Sequence, residues 1–328
     1  MAAAFPAIDE TNSPTSSQGN PVVSVVSPVY GCVNCLEELV DRISLALTAA
    51  GYTFEIILVD DASPDAAWQR ICELAVCKPF VKGLRLSRNF GQHAAISAGL
   101  HHARGEQIIV MDCDLQDIPE EIPVLLDALH GEIAVALGQR VERQDKLLKR
   151  IGSWGFYRLL EWLTDSPHDH AIANFGAYRR DVIDAVNGMP EADRFFPLLV
   201  RWTGFRAQSV AVRHGQRNDG RSGYSLSQLL RLATNVALSF SDKPLRMVVK
   251  LSLVFVIFAL GIVAYSIVEY STGNTRVAGF TSIIASIWLV GSAILSSVGI
   301  VGLYLGRLFN GAKGRPHFIV IEQVGAVS

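Results

Sequence analysis

Val110-Met-Asp-Cys-Asp-Leu-Gln-Asp117 is the stretch that decides the reading of this chain. It overlaps an apolar run, Gln107-Ile-Ile-Val-Met111, whose length and β-branched content predict a buried strand. At the exit of that strand stand Asp112, Asp114 and Asp117, with Gln116 between the last two. Three carboxylates at the edge of a core are costly unless a cation or a polar ligand compensates them. A hard divalent cation, Mg²⁺ or Mn²⁺, suits such oxygen ligands, and a diphosphate can complete its shell. An isolated Asp-x-Asp would favour a solvated acidic turn. Here the motif lies at the carboxyl end of a strand, where open α/β sheets take their ligands.

The segments upstream repeat the same pattern. Val22-Val-Ser-Val-Val26 predicts a first strand, with Pro28 and Tyr30 at its exit. Leu36, Leu39, Val40, Ile43 and Leu47 recur at helical spacing. Phe54-Glu-Ile-Ile-Leu-Val59 predicts a second buried strand that ends in Asp60-Asp-Ala-Ser63. Pro64 opens a helix over about 65–75. Val81 to Leu86 predicts a third strand, followed by Ser87-Arg-Asn-Phe-Gly91 and a helix over 91–103. Strand and helix alternate, which predicts an α/β fold with a mainly parallel sheet. Strand ends then deliver Tyr30, Asp60 and Asp61, and Asp112 and Asp114 to one cleft.

Downstream, a helix is expected to about residue 128 and a strand over 133–137. The strand leads into a basic segment with Arg140 and Lys146, then Lys149, Arg150 and Ser153. A short strand is expected at Phe175–Tyr178. Phe195–Trp202 and Leu226–Phe240 read as amphipathic, either ordinary core helices or, given their place before a membrane segment, helices at a lipid interface. The final quarter is different in kind. Val248–Val268 carries one charge, Lys250, and Phe280–Gly306 carries none. Each is long enough to cross a hydrocarbon core of about 30 Å. The loop between them has only Arg276, whereas Arg246, Lys250, Arg307, Lys313 and Arg315 flank the pair. The positive-inside rule therefore keeps the large domain and both termini in the cytoplasm. Small residues from Gly291 to Gly302 offer the second span a close-packing face. The expected organisation is a disordered tail over 1–20, a cytosolic domain over 21–215 and a basic loop with an interfacial helix over 216–247. Two spans (248–268 and 280–306) and a cytosolic end over 307–328 complete it.

The net charge of −2 gives no reason to expect a nucleic-acid partner. Five cysteines without a signal peptide suggest reduced thiols rather than a disulfide framework. Cys32-x-x-Cys35 and the Cys72/Cys77 pair lack the spacing of a zinc knuckle and read as structural.

Taken in order, Ser27-Pro-Val-Tyr30, Val59-Asp-Asp-Ala-Ser63, Leu86-Ser-Arg-Asn-Phe-Gly91, Met111-Asp-Cys-Asp-Leu-Gln-Asp117 and Gly302-Leu-Tyr-Leu-Gly-Arg307 carry a resemblance. The chain resembles family 2 glycosyltransferases of the polyprenyl-phosphate branch, which includes dolichol-phosphate mannose synthase and bacterial undecaprenyl-phosphate sugar transferases. The likeness covers roughly residues 22–321. It implies a GT-A-type nucleotide-sugar-binding domain followed by a two-helix transmembrane hairpin. It also implies inverting, metal-dependent transfer of one sugar from a nucleotide diphosphate, UDP above all, to a polyprenyl phosphate such as undecaprenyl phosphate. The product would be a lipid-linked sugar for modifying cell-envelope glycans such as lipopolysaccharide or O-antigen. The setting would be a bacterial inner membrane, and the assembly a homo-oligomer, a tetramer by resemblance.

Carried onto this chain, the resemblance puts Pro28, Tyr30, Asp60, Asp61 and Ser63 around the nucleotide. Asp112, Asp114 and Gln116 fall at the metal (Mg²⁺ or Mn²⁺) and diphosphate. Arg140, Lys149 and Ser153 fall at the lipid phosphate, with Arg140 counted among the catalytic residues beside Asp112 and Asp114. Arg217 and Arg221 fall in a late basic loop that approaches the donor. The chain departs from the family pattern at four places. Gly31-Cys32 stands for Asn-Glu, Asn174-Phe-Gly176 for Asp-Phe-Arg, Gly223 for Lys, and Leu303 for an acidic residue. Two other classes compete: a processive polysaccharide synthase, and an inactive sugar-nucleotide-binding membrane scaffold. The first generally needs more spans and a Gln-x-x-Arg-Trp run that is not found here. Against the second stands the intact Asp112, Asp114 and Gln116 set.

Overall fold

Apolar runs of β-branched residues become strands here because helices cover both faces of the sheet. In the computed structural model, residues 21–140, 172–191, 194–213, 215 and 280–325 are described, together with single positions between 247 and 271. Strand β1 (Val23–Val29) is buried at every position, and β2 (Phe54–Asp60) is buried from Glu55 onward. β3 (Val81–Leu86) and β4 (Gln107–Val110) complete a parallel core in the order β4-β1-β2-β3. Helices α1 (Leu36–Ala49), α2 (Ala67–Cys77) and α3 (Gln92–His102) connect these strands within a residue or two of the predicted bounds. α1 buries Leu36, Leu39, Val40, Ile43 and Leu47, the five positions that the helical spacing selects.

Alternation along β1 divides the core into two layers. Val23, Val25 and Val29 pack toward α1 and α2, while Val26 packs toward α3. The register then aligns the exits. Val29 lies opposite Asp60, and Val26 lies opposite Val110. The chain leaving β4 at Met111 therefore runs alongside the exit of β1, with the Met111 N–H donating to the Val26 carbonyl at 3.1 Å. Strand order reverses between β1 and β4, so a cleft opens at their carboxyl ends.

The rest of the sheet follows no local pattern in the sequence. After α4 (Ile122–Asp127) and β5 (Val135–Arg140), the expected short strand is eight residues long, β6 (Ile172–Arg179). It inserts antiparallel between β4 and β5. Helix α5 (Arg180–Asn187), helix α6 (Phe196–Trp202) and strand β7 (Ala207–Val212) follow, with β7 parallel to β5 at one edge. α6 sends Phe196, Leu199 and Val200 into the core and leaves Trp202 76% exposed.

Helix α7 (Phe280–Ala312) contains the one stretch among the described residues apolar and long enough to cross a membrane, Leu289–Gly306, with mean hydropathy 1.8 and no part buried. The other expected span, 248–268, falls largely outside the described residues, and so do the amphipathic stretch 226–240 and the tail 1–20. Beyond α7, strand β8 (Val320–Val324) pairs antiparallel with β3 and forms the other edge. Glu322 on β8 accepts hydrogen bonds from Trp68 Nε1 at 3.0 Å and Arg85 Nη1 at 2.7 Å. The chain just past the apolar helix is thus fastened to the edge of the sheet.

Candidate active site

A cavity of about 370 Å³ occupies the cleft at the carboxyl ends of β1 and β4. Pro28, Tyr30, Asp61, Gln92, Asp112 and Asp114 contribute to its lining. Gly31 takes φ +68, a left-handed turn that glycine adopts without strain. The turn leaves Tyr30 54% exposed beside the cavity. An aromatic ring held in this way presents a flat apolar face to the cavity.

The two aspartates at the end of β2 have different roles. Asp61 is 3% exposed, and its two carboxylate oxygens accept the N–H groups of Phe90 at 2.7 Å and Gly91 at 2.8 Å. It braces the loop between β3 and α3 while facing the cavity. Burial pushes its carboxyl above the usual range, and the two backbone donors offset part of that. Asp60 is buried and accepts the Ser63 N–H at 3.1 Å, with Arg85 Nε 3.7 Å from its other oxygen. Ser63 Oγ lies 3.4 Å from the Val29 carbonyl and accepts the Gly31 N–H at 3.3 Å. Asp60 and Ser63 therefore shape the β1 and β2 exits and stand outside the cavity lining.

The acidic loop is held from several directions. Gln92, the first residue of α3, donates its side-chain amide to Asp112 Oδ1 at 2.5 Å. The Asp112 N–H donates to the buried Asp117 at 3.2 Å, so Asp117 folds the loop instead of facing the cavity. The Gln116 N–H donates to Asp114 Oδ1 at 3.2 Å. Gln116 lies outside the cavity lining, and its carbonyl accepts the N–H of Gly215 at 2.9 Å. A Cβ at Gly215 would lie 2.8 Å from the Leu115 carbonyl, so glycine permits this close approach. Leu115 takes φ 61 and Ala62, after Asp61, φ 53. Non-glycine residues hold that conformation at sites their surroundings over-determine.

A divalent cation fits this donor set. Among the described residues, no three His, Cys, Asp or Glu side chains come together as a closed metal cluster. Two carboxylates lining a polar cavity suit a cation shared with a diphosphate. Of the remaining expected site residues, Arg140 ends β5, and only its backbone is described. Lys149, Ser153, Arg217 and Arg221 lie outside the described residues, as does the His168-Asp-His170 segment.

One expectation changes. The cysteines are not all reduced: Cys32 and Cys113 form a disulfide. They are 81 residues apart in sequence, but the exits of β1 and β4 are neighbours. Gly176, where relatives carry a longer side chain, has Tyr178 Oη 2.8 Å from where a Cβ would sit. The buried Tyr178 fills that space. The sequence reading missed Gln92 altogether; its place directly after Gly91 at the start of a helix was the available signal.

Comparison with known proteins now bears on this geometry. Residues 24–186 match glycosyl transferase family 2. Over 302 residues the chain is 33% identical to undecaprenyl-phosphate 4-deoxy-4-formamido-L-arabinose transferase of Klebsiella pneumoniae, covering 91% of this chain and 92% of that protein. The chain is a family 2 glycosyltransferase. It falls in the polyprenyl-phosphate branch and is an enzyme of sugar transfer. This glycosyltransferase is also 31% identical over 304 residues to an uncharacterized glycosyltransferase of Synechocystis, covering 92% of this chain and 96% of that one. Its fold matches glucosyl-3-phosphoglycerate synthase of Mycobacterium tuberculosis with a TM-score of 0.50 and 16% identity, covering 68% of this chain and 80% of that chain.

Proposed function

We propose that this glycosyltransferase moves one sugar from a nucleotide diphosphate, UDP in the first place, to a polyprenyl phosphate such as undecaprenyl phosphate, with inversion at the anomeric carbon. The supporting observation is the convergence of Tyr30, Asp61, Asp112 and Asp114 on one cavity at the reversal of strand order. Tyr30 and Pro28 take the base, and Asp112 and Asp114 hold Mg²⁺ or Mn²⁺. Bound there, such a cation would supply stabilisation of the charge that develops on the diphosphate. Gln92 holds Asp112 in place for that task. Gly215 docks on the acidic loop and lies two residues before Arg217, which supports a role for Arg217 and Arg221 at the donor phosphates. Fixed guanidinium groups there would act on the same developing charge.

Arg140 leaves β5 toward the basic segment containing Lys149 and Ser153, the set assigned to the acceptor phosphate. A phosphate monoester is already anionic near neutral pH. It needs positioning more than deprotonation, so no general base is assigned. The membrane reading places two spans and both termini on the cytoplasmic side of a bacterial inner membrane, with assembly as a homo-oligomer. α7 and the anchoring of β8 support a catalytic domain fastened at the bilayer surface.

Incubation of the purified full-length protein with labelled nucleotide sugars, Mn²⁺ and undecaprenyl phosphate tests this reading. A lipid carrying a single sugar is the expected product. A polymer would point to a processive synthase, and no turnover with any donor would point to a binding scaffold.

A further inference from the structure

Three cysteines stand in the wall of the donor cavity, and none has a part in the transfer just described. Cys32 and Cys113 are bonded, and Cys35, a thiol, lines the same space. Cys32-Val-Asn-Cys35 is a Cys-x-x-Cys segment at a helix start. Cys32 caps the 3-10 turn Val33–Cys35 that runs into α1, and the Cys35 N–H donates to the Cys32 carbonyl at 3.1 Å. Helix N-termini favour thiolate, and Cys-x-x-Cys spacing suits exchange between neighbouring sulfurs. Cys113 sits between Asp112 and Asp114, so its bond to Cys32 ties the acidic loop to the β1 exit. The tie adds to those made by Gln92 and Gly215. Leu115, two residues on, holds a left-handed φ of 61, a conformation kept where surroundings over-determine it.

We infer that Cys32, Cys35 and Cys113 form a thiol–disulfide exchange site that sets how firmly the acidic loop is held. In the exchange, Cys35 gives up its proton and its thiolate attacks Sγ of Cys32. The Cys32–Cys35 bond forms as the Cys32–Cys113 bond breaks, and Cys113 leaves as a thiolate that takes up a proton. One disulfide replaces another, so no oxidant or reductant enters. In the bridged form both aspartates line the cavity, and the tighter cation binding is assigned to this form. The exchange itself stands on the cysteines alone. Its coupling to cation binding rests on the proposed transferase site.

The test uses full-length protein in detergent micelles, equilibrated with catalytic glutathione, quenched in acid, alkylated and mapped without reduction. Both Cys32–Cys113 and Cys32–Cys35 peptides are expected. Loosening a support of a metal carboxylate costs about tenfold or more in metal affinity. By reciprocity, saturating Mn²⁺ with UDP should raise the ratio of the first peptide to the second by about tenfold. In Cys113→Ser, Mn²⁺ affinity read by electron paramagnetic resonance should fall by about the same factor. Finding all three cysteines alkylated, or the Cys32–Cys35 peptide missing at every glutathione ratio, overturns the exchange. A ratio that ignores bound Mn²⁺ overturns the coupling. If Mn²⁺ binds in neither form, the transferase reading fails and the coupling with it, while the peptide map still decides the exchange.

Discussion

Replacing Asp61 with asparagine should loosen the loop between β3 and α3 while leaving the sheet in place. Its carboxylate accepts two backbone N–H groups, from Phe90 at 2.7 Å and Gly91 at 2.8 Å, and is 3% exposed. Hydrogen bonds to a charged group contribute about 1.5–3 kcal/mol each, and a buried donor left unpaired costs about 1–3 kcal/mol. Asparagine keeps one acceptor oxygen and turns an NH₂ toward the other donor, so one bond is lost and one donor is orphaned. Against this, the substitution removes a buried charge, a cost seen in the raised pKa of Asp61. A net loss of ~2 kcal/mol follows, and at about 2–4 °C per kcal/mol for a domain of this size it lowers Tm by roughly 4–8 °C. Asn89, Gly91 and Gln92 line the cavity, so UDP affinity should fall with it. Thermal melts and calorimetric titration of the full-length protein in micelles measure both. A Tm within about 1 °C of wild type and unaltered UDP affinity would show that the brace is not what holds this loop.

Asp114→Asn should reduce Mn²⁺-dependent turnover by roughly 100-fold or more, the scale of losing one transition-state charge stabiliser, with an unshifted melting curve. Wild-type turnover in that variant would refute the metal assignment. Arg140→Ala should raise the KM for undecaprenyl phosphate by about 10- to 100-fold, the equivalent of one charged hydrogen bond. Donor affinity should hold, and a loss confined to the donor would move Arg140 to the other side of the cleft. His93 predicts a pH effect. Burial lowers its pKa from 6.5 to about 4, and its ring lies 4.4 Å from that of Phe195. The unfolded chain binds the proton first, so stability is full above about pH 6.5 and falls by ~3 kcal/mol as pH drops toward 4. In His93→Phe that part of the slope should vanish from denaturant midpoints measured across the range; an equal slope would clear His93 of the effect.

The relation between sequence and site differs from strand to strand. Tyr30, Asp61, Asp112 and Asp114 were legible because each lies within four residues of the end of a strand whose apolar run announces itself. Strand ends in a parallel sheet converge whatever the loops do. Asp60 and Ser63, assigned to the nucleotide, make their hydrogen bonds at the β1 and β2 exits, outside the cavity lining. Adjacent residues at a strand end point to opposite sides, and which side faces the cavity depends on the neighbouring strand. β6 was expected as a short strand, but its place between β4 and β5 was not, because antiparallel insertion depends on partners far away in sequence.

The linear chain determined the alternation of strands and helices, the side of the sheet that bears the chemistry and the family, since each depends on neighbours in sequence. Tertiary structure alone decided that Cys32 meets Cys113, that Gly215 closes on Gln116 and that Gln92 holds Asp112. These contacts join segments about 20 to 100 residues apart. No local periodicity encodes them; they arise when the two core layers set the register of β1 against β4 and bring the loop ends together.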